Sequence, residues 1–426
     1  MGDAAAGPRM SAVKPAAATA FWFRRISLQE RRTFWGCFAG WALDAMDFML
    51  FPLAIPALMA TWSLSRVQAG ELSSVTLVVS ALGGWLAGVL CDRIGRVRTL
   101  QLTVLWFAVF TFLSGLAQNY GQFFACRALM GLGFGGEWAA GAVLMGETIR
   151  AEYRGRAVGT VQSGWAIGWG AATLLGTLCL TLLPQELAWR AMFMTGLLPA
   201  LLVFYLRRRV QEPELYHQRS ADGPAAASGF LKIFKPPLLR TTLLAALLST
   251  GAQGGYYALT IWLPTFLKTE RHLSVLDSGR YLAVIICGAF AGYLAGAHLS
   301  DRIGRRRLFY GFAAAAIVVV LVYTRSAIGN SAMLVLGFPL GFCASGYLSG
   351  VGPFLTELFP TAVRGSGQGF CYNFGRGIGA LFPALVGTLG ASLPLGTAIA
   401  VFAVGAYALM FVAALLLPET AGRELR

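Results

Sequence analysis

The stretch Gly88-Val89-Leu90-Cys91-Asp92-Arg93-Ile94-Gly95-Arg96-Val97-Arg98 sets a dense cluster of charge between two long apolar runs. Its centre returns later as Asp301-Arg302-Ile303-Gly304-Arg305. Glu147 followed by Arg154-Gly155 returns in the same way as Glu357 followed by Arg364-Gly365, at the same offset to within one residue. Gln211-Glu212-Pro213-Glu214 is loosely echoed by Pro418-Glu419-Thr420. Several charged motifs repeating at one offset describe a duplicated chain. Repeats inside a multispan protein are the mark of transporters in which one half rocks against the other around a central site.

Outward from these motifs the chain is a series of apolar runs, each long enough to cross a bilayer as a helix. The runs are 33–60, 71–91, 99–117, 122–146, 155–183, 189–206, 240–267, 277–300, 307–324, 330–357, 364–391 and 395–417. The reading is an all-α membrane protein of 12 transmembrane helices in two pseudo-symmetric six-helix halves. The halves are 33–206 and 240–417, joined by a linker at 207–239. Tails fall at 1–32, whose Ala- and Pro-rich residues 1–20 read as disordered, and at 418–426. The first apolar run holds two Asp and does not resemble a cleavable signal peptide.

Composition agrees. Hydrophobic residues make up 57% and charged residues 12% of 426 residues, against roughly 25% charged in soluble domains. So few charges cannot cover the surface of a soluble protein this large. The net charge of +15 would suggest nucleic acid on a soluble protein, but here the cations sit in short loops and set topology. Taking the spans alternately, and counting residues at a span's end with the adjoining loop, the outer loops hold Arg66, Arg190, Lys268, Arg271, Arg280 and Arg325, and the spans Arg127 and Arg376; the rest of the 34 Lys and Arg fall inside. Both termini are therefore expected in the cytoplasm, in a cell (inner) membrane. The seven Cys and three His show no disulfide or zinc spacing.

The motifs resemble the major facilitator superfamily. The 88–98 stretch matches its loop 2–3 signature, with Ala297 replacing the first glycine in the second copy, and Arg127-Ala128-Leu129-Met130-Gly131-Leu132-Gly133 matches its span 4 signature. Asp44-Ala45-Met46-Asp47-Phe48 is similar to the paired-Asp motif of sialate and aromatic-acid proton symporters. Gly133-Phe134-Gly135-Gly136-Glu137 and Leu263-Pro264-Thr265-Phe266-Leu267-Lys268 resemble metabolite and sialate symporters. Phe370-Cys371-Tyr372-Asn373-Phe374-Gly375 resembles the sialate and lactate group, and Arg376-Gly377-Ile378-Gly379 the aromatic-acid group. The resemblance implies a major facilitator fold and a monomer.

The residues themselves point to transport. Asp44 and Asp47 lie about halfway through span 1, where an ionised carboxylate costs roughly 2.5–3.5 kcal/mol. Removal from water and a like charge nearby both favour the neutral carboxyl, so such a pair can carry a proton. Packing of the pair with bundle hydroxyls is the plainer alternative. Glu137, midway through span 4, reads as a further proton carrier or as an ion-pair partner of Arg127; Arg127 itself reads equally as structural or substrate-binding. Arg376 lies mid-span in the second half, whose spans 7, 8, 9 and 12 offer no acid at mid-span. Its fork suits a carboxylate, either a span 1 Asp or an anionic substrate. Tyr256, Tyr257, Gln253, Asn373, Tyr372, Gln162 and Trp165 are cavity candidates, each equally a packing residue. Asp92, Arg93, Gly95, Arg96, Glu147, Arg154, Asp301, Arg302, Glu357 and Arg364 read as gating residues, Glu147 with Arg154 and Glu357 with Arg364.

The expectation is a secondary active transporter, not an enzyme: proton-coupled symport of a small organic anion (a mono- or aromatic carboxylate or sialate-like acid) by alternating access. It needs no cofactor beyond the proton as coupling ion and no metal. A proton-driven efflux antiporter for amphipathic compounds is the alternative; the lack of a Pro in span 5 before Pro184 weakens it. A nutrient sensor would carry long cytoplasmic tails.

Overall fold

The computed structural model describes residues 22–150, 153–212, 230–326, 328–360 and 363–421. The expected disorder at 1–20, the middle of the linker at 213–229 and the last residues 422–426 lie outside the described residues, as do the side chains of Asp92, Arg154, Asp301 and Arg364. No strand occurs among the described residues.

Among the described residues the long helices fall into twelve segments. In the first half α1 is Leu28–Trp62, α2 Arg66–Ile94, α3 Arg96–Leu116, α4 Tyr120–Thr148 and α5 Arg154–Leu182. α6 is made of Gln185–Met194 and Ala200–Arg209 joined by a 3-10 turn. In the second half α7 is Leu239–Thr260 followed by Leu263–Thr269, α8 is Val275–Ile303 and α9 Arg305–Arg325. α10 is Asn330–Gly346 followed by Leu348–Leu358, α11 Arg364–Gly379 followed by Phe382–Leu389, and α12 Leu395–Leu416. Ten of these are long and apolar enough to cross a membrane. The other two, α7 and α11, are interrupted and carry Gln253, Asn373 and Arg376. The sequence reading placed all twelve but not the interruptions. Pro199, Pro264 and Pro383 each stand at the start of the helix piece after a break. That is where a residue without an N–H costs least.

Helix starts are capped from the sequence. Ser27 with Glu30 and Ser65 with Gln68 form reciprocal capping boxes at α1 and α2. Asn119 and Ser274 accept from the first turns of α4 and α8. Between α2 and α3 the chain turns at Gly95, and between α8 and α9 at Gly304. Their φ values of 101° and 97° are ones that L side chains avoid. This is why both copies of the motif carry glycine there.

The halves are packed alike. α2 lies on α4 and α1 on α5 in the first half; α8 lies on α10 and α7 on α11 in the second. Gly135 of α4 rests on the Ser80 carbonyl of α2, and Gly341 of α10 on the Ile285 carbonyl of α8, with no room for a Cβ at either. Such close backbone approach supplies the packing that lipid cannot drive hydrophobically. Between halves α2 packs on α11 and α5 on α8, two contacts that exchange under the internal repeat.

The two ends of this seam differ. At the end away from the termini, Gly70 abuts Pro383 and Ala384, and Gly387 abuts the Arg66 carbonyl. Arg66 also donates to the Gly390 carbonyl. At the end bearing the termini, a Cβ on half-buried Gly146, Gly352 or Gly369 would meet nothing within 4 Å. The seam is sealed at one end and loose at the other.

Candidate functional site

Among the described residues, five charged side chains are enclosed within the bundle away from its ends. Asp44 and Asp47 of α1, Arg127 and Glu137 of α4 and Arg376 of α11 are each 2% exposed or less. Neither carboxylate oxygen of Asp44 or Asp47 has a hydrogen-bond partner, nor does any nitrogen of Arg127, nor Nε or Nη1 of Arg376. Buried polar atoms are almost always bonded. A group of unbonded charges inside an apolar bundle therefore marks a place built for something other than stability.

The charges fall into two clusters. Asp44 is acted on by Glu137 and Arg376, and Glu137 by Arg376. Asp47 instead faces Thr111 of α3 and Arg127. Two acids three residues apart are one turn and some 60° apart on a helix, enough for Asp44 to point toward the second half and Asp47 into its own. Arg127 therefore acts on Asp47 and not on Glu137, with no hydrogen bond to either. Ten residues along α4 keep those two at different depths, and Arg127 lies over the Phe51 and Phe193 rings at 5.2 and 5.8 Å. The Glu137 carboxylate rests against α1 at Gly40, where a Cβ would collide with Oε1.

Around the Arg376 cluster the walls are aromatic. Arg376 sits over the Phe134 ring at 4.5 Å, a cation–π contact, and Phe134 stacks on Phe48 at 5.0 Å. Tyr257 and Tyr372 are the other groups that act on Arg376. The Tyr257 hydroxyl donates to Gln253 Oε1 at 3.3 Å, and Gln253 Nε2 donates to the Tyr372 carbonyl at 3.0 Å. Trp165 Nε1 donates to the Tyr256 hydroxyl at 2.6 Å, across the two halves. Of the sequence candidates, Asp44, Glu137, Arg376, Tyr256, Tyr257, Gln253, Tyr372 and Trp165 thus converge. Asn373 instead donates to the Gly369 carbonyl at 3.0 Å and abuts Gly84 of α2, in the seam between halves. Gln162 lines a small cavity with Cys37, Trp41, Glu137, Trp138 and Gly141. Sequence reasoning missed Gly40, Thr111, Phe134 and Trp138. The Trp was adjacent to the singled-out Glu137, but nothing in one sequence shows which ring faces a cluster.

The gating motifs build a separate device at the termini. Arg96 grips Glu147 through Nε and Nη2 at 2.9 and 3.2 Å, and Arg305 grips Glu357 at 3.1 and 2.8 Å. These described pairs form inside each half, α3 to α4 and α9 to α10. Arg93 and Arg302 are exposed. Glu212 accepts from the Arg96 and Val97 backbone N–H groups at 2.8 and 2.9 Å, and Glu419 from Arg305 and Arg306 at 2.8 and 3.2 Å. Each carboxylate caps a helix N-terminus, where negative charge is favoured. The loose echo between residues 211–214 and 418–420 is thus one structural device used twice. Burial pushes the Glu419 carboxyl up, but the N–H groups of Ala421, Arg305, Thr420 and Arg306 outweigh it and hold the group below its ordinary value.

Residues 37–333 match the family model described as Major Facilitator Superfamily. A protein of Cupriavidus pinatubonensis named "Probable 4-methylmuconolactone transporter" is 42% identical over 401 residues, 94% of this chain and 93% of the relative. A "Cis,cis-muconate transport protein" of Acinetobacter baylyi is 33% identical over 83% of this chain and 86% of its own length. Among solved structures, the proton:xylose symporter XylE superposes with a TM-score of 0.71 at 19% identity, covering 93% of this chain and 98% of that one.

Proposed function

The chain belongs to the major facilitator superfamily, and on that premise we propose that it carries small organic anions together with protons by alternating access. It is a membrane transport protein, not an enzyme. Both termini are assigned to the cytoplasm of a cell membrane, and the loose end of the seam then faces inward; the working unit is taken as one chain.

The observation that carries this reading is Arg376: buried between the halves, with two guanidinium nitrogens unbonded and acted on by Asp44 of the other half. With Asp44 ionised, the two charges satisfy one another across the seam. With Asp44 protonated and Glu137 also neutral, Arg376 has no counter-charge in a low-dielectric site, a costly state. A substrate carboxylate then relieves it through a bidentate, charge-assisted contact. Proton and anion thus favour each other's binding, the linkage that symport requires. Glu137 acts on the same cation and is a second place for the proton. Asp47 stands apart with Arg127. Relatives named for muconate, niacin and sialic acid support an acid as substrate; which acid is left to experiment.

The test is uptake by purified protein in liposomes under an inward proton gradient, against a panel of benzoate, nicotinate, muconate, lactate and sialate. At least one acid is expected to accumulate, and dissipating the gradient should abolish it. Arg376→Lys should weaken that acid's apparent affinity at least about tenfold, since an ammonium cannot make the paired contact. Unchanged affinity in Arg376→Lys, or extrusion of cationic dyes with no acid uptake, would sink the proposal.

A further inference from the structure

We propose that Trp138 and Tyr372 form a slot that selects planar, conjugated acids over saturated ones of the same size and charge. The inference rests on the organic-anion reading above and names the substrate class for that site. Trp138 comes from α4 and Tyr372 from α11, so the pair bridges the halves. Their rings lie parallel, 7° apart in plane, with centroids 4.0 Å apart.

The Trp138 ring is backed by other aromatics, and the backbone that carries Tyr372 is anchored. Trp138 leans on Trp41 at 6.4 Å, Trp41 on Trp165 at 5.0 Å, and Trp165 is hydrogen-bonded to Tyr256. The Tyr372 backbone is tied to α7 by Gln253. Tyr372 precedes Arg376 by four residues, which places its backbone about 6 Å along the α11 axis from that of Arg376, on the side of the termini and on the same helix face. Trp138 also lines the small cavity beside Glu137, so the slot stands between the charge cluster and the open end.

Rocking the halves apart at that end separates the two ring faces, because one belongs to each half. Two parallel aromatic faces leaving contact present a flat apolar gap. A planar π-system with its carboxylate on Arg376 fills the gap and restores the stacking contact that opening removes. A puckered ring of equal volume meets neither face squarely.

Benzoate and cyclohexanecarboxylate isolate this property, having the same charge and nearly the same size. Affinity for each is read by quenching of tryptophan fluorescence in detergent-purified protein, and independently by competition against radiolabelled benzoate uptake. The wild type should prefer benzoate about tenfold. Trp138→Leu and Tyr372→Leu should each reduce the preference below about threefold, and Trp138→Phe should keep most of it. Monodispersity on gel filtration certifies each variant as folded, and either leucine variant suffices for the comparison. Equal wild-type affinity for the two acids, or an unchanged ratio in a folded leucine variant, overturns the slot and leaves the transport reading intact. Binding of neither acid by folded protein, with no other acid transported, overturns both.

Discussion

Asp47 and Arg127 show how little one residue reveals until its neighbours are known. Each is fully enclosed in the first half, on adjacent helices, with no hydrogen bond to either carboxylate oxygen or to any guanidinium nitrogen. No ion pair within 4 Å joins them, but each acts on the other's charge inside the first half. Removing one partner of a buried charge pair typically costs 3–5 kcal/mol, whereas replacing both by neutral groups is often nearly neutral. Asp47→Asn and Arg127→Gln are therefore each expected to lower stability by about 3 kcal/mol, and the double variant to recover at least half of the summed loss. Thermal unfolding of the purified proteins measures this. Additive losses would mean the two charges do not compensate one another. The sequence could not assign this pair. Two acids spaced i, i+3 read as one feature, and Arg127 reads equally well against Glu137 on its own helix. Only the packing of α1 against α3 and α4 separates Asp44 from Asp47. The five buried charges themselves were legible, because ionisable residues in apolar runs stand out; their grouping was not.

At the scale of the helix, the duplicated turn was the most legible feature of the chain, and its chemistry was only half read. Asp-Arg-Ile-Gly-Arg announced two equivalent loops, and the glycine is explained by the positive φ at Gly95 and Gly304. What the motif did not disclose is that Glu212 and Glu419, far along the chain, reach back to cap the helices that follow. Those carboxylates take up backbone N–H groups that would otherwise go unbonded. Glu419 is held below its ordinary value by its backbone donors, so the sign of its contribution follows. The folded protein holds the proton less tightly than the unfolded chain. The stabilisation is fully present above the ordinary glutamate range and is lost as pH falls through the depressed folded value. Glu419→Gln should therefore lower the unfolding temperature at pH 7 by a few degrees and flatten its decline on acidification below about pH 4.5. A parallel acid decline in variant and wild type would refute the assignment. Breaks in α6, α7, α10 and α11 were likewise unread, since Pro52 and Pro56 stand inside an uninterrupted α1 and proline alone does not tell a break from a tolerated residue.

Over the whole molecule, the scaffold is duplicated and the charges at its centre are not: the acids of the Arg376 cluster come from the first half and the cation from the second. Such a division makes the seam between halves the place where proton and anion meet. It also makes the state of the seam testable. At the sealed end Gly387 lies against the Arg66 carbonyl and the Trp262 ring, with no space for a side chain. At the loose end a Cβ on Gly352 meets nothing within 4 Å. A large residue at 387 cannot be accommodated while that end stays closed, and packed interfaces respond by switching states, not by stretching. Gly387→Trp should therefore open the sealed end and close the loose one, because the halves pivot about the buried centre. The reporter is a cysteine at position 352 in a background with the seven free cysteines replaced. It is labelled by an impermeant maleimide applied to the membrane face bearing the termini. In the Gly352→Cys protein labelling should be rapid; adding Gly387→Trp should slow it about tenfold or more and abolish net transport, because a protein held in one state cannot alternate. Equal labelling in both proteins would mean that the ends move independently, and that the two halves do not rock as units about the Asp44–Arg376 centre.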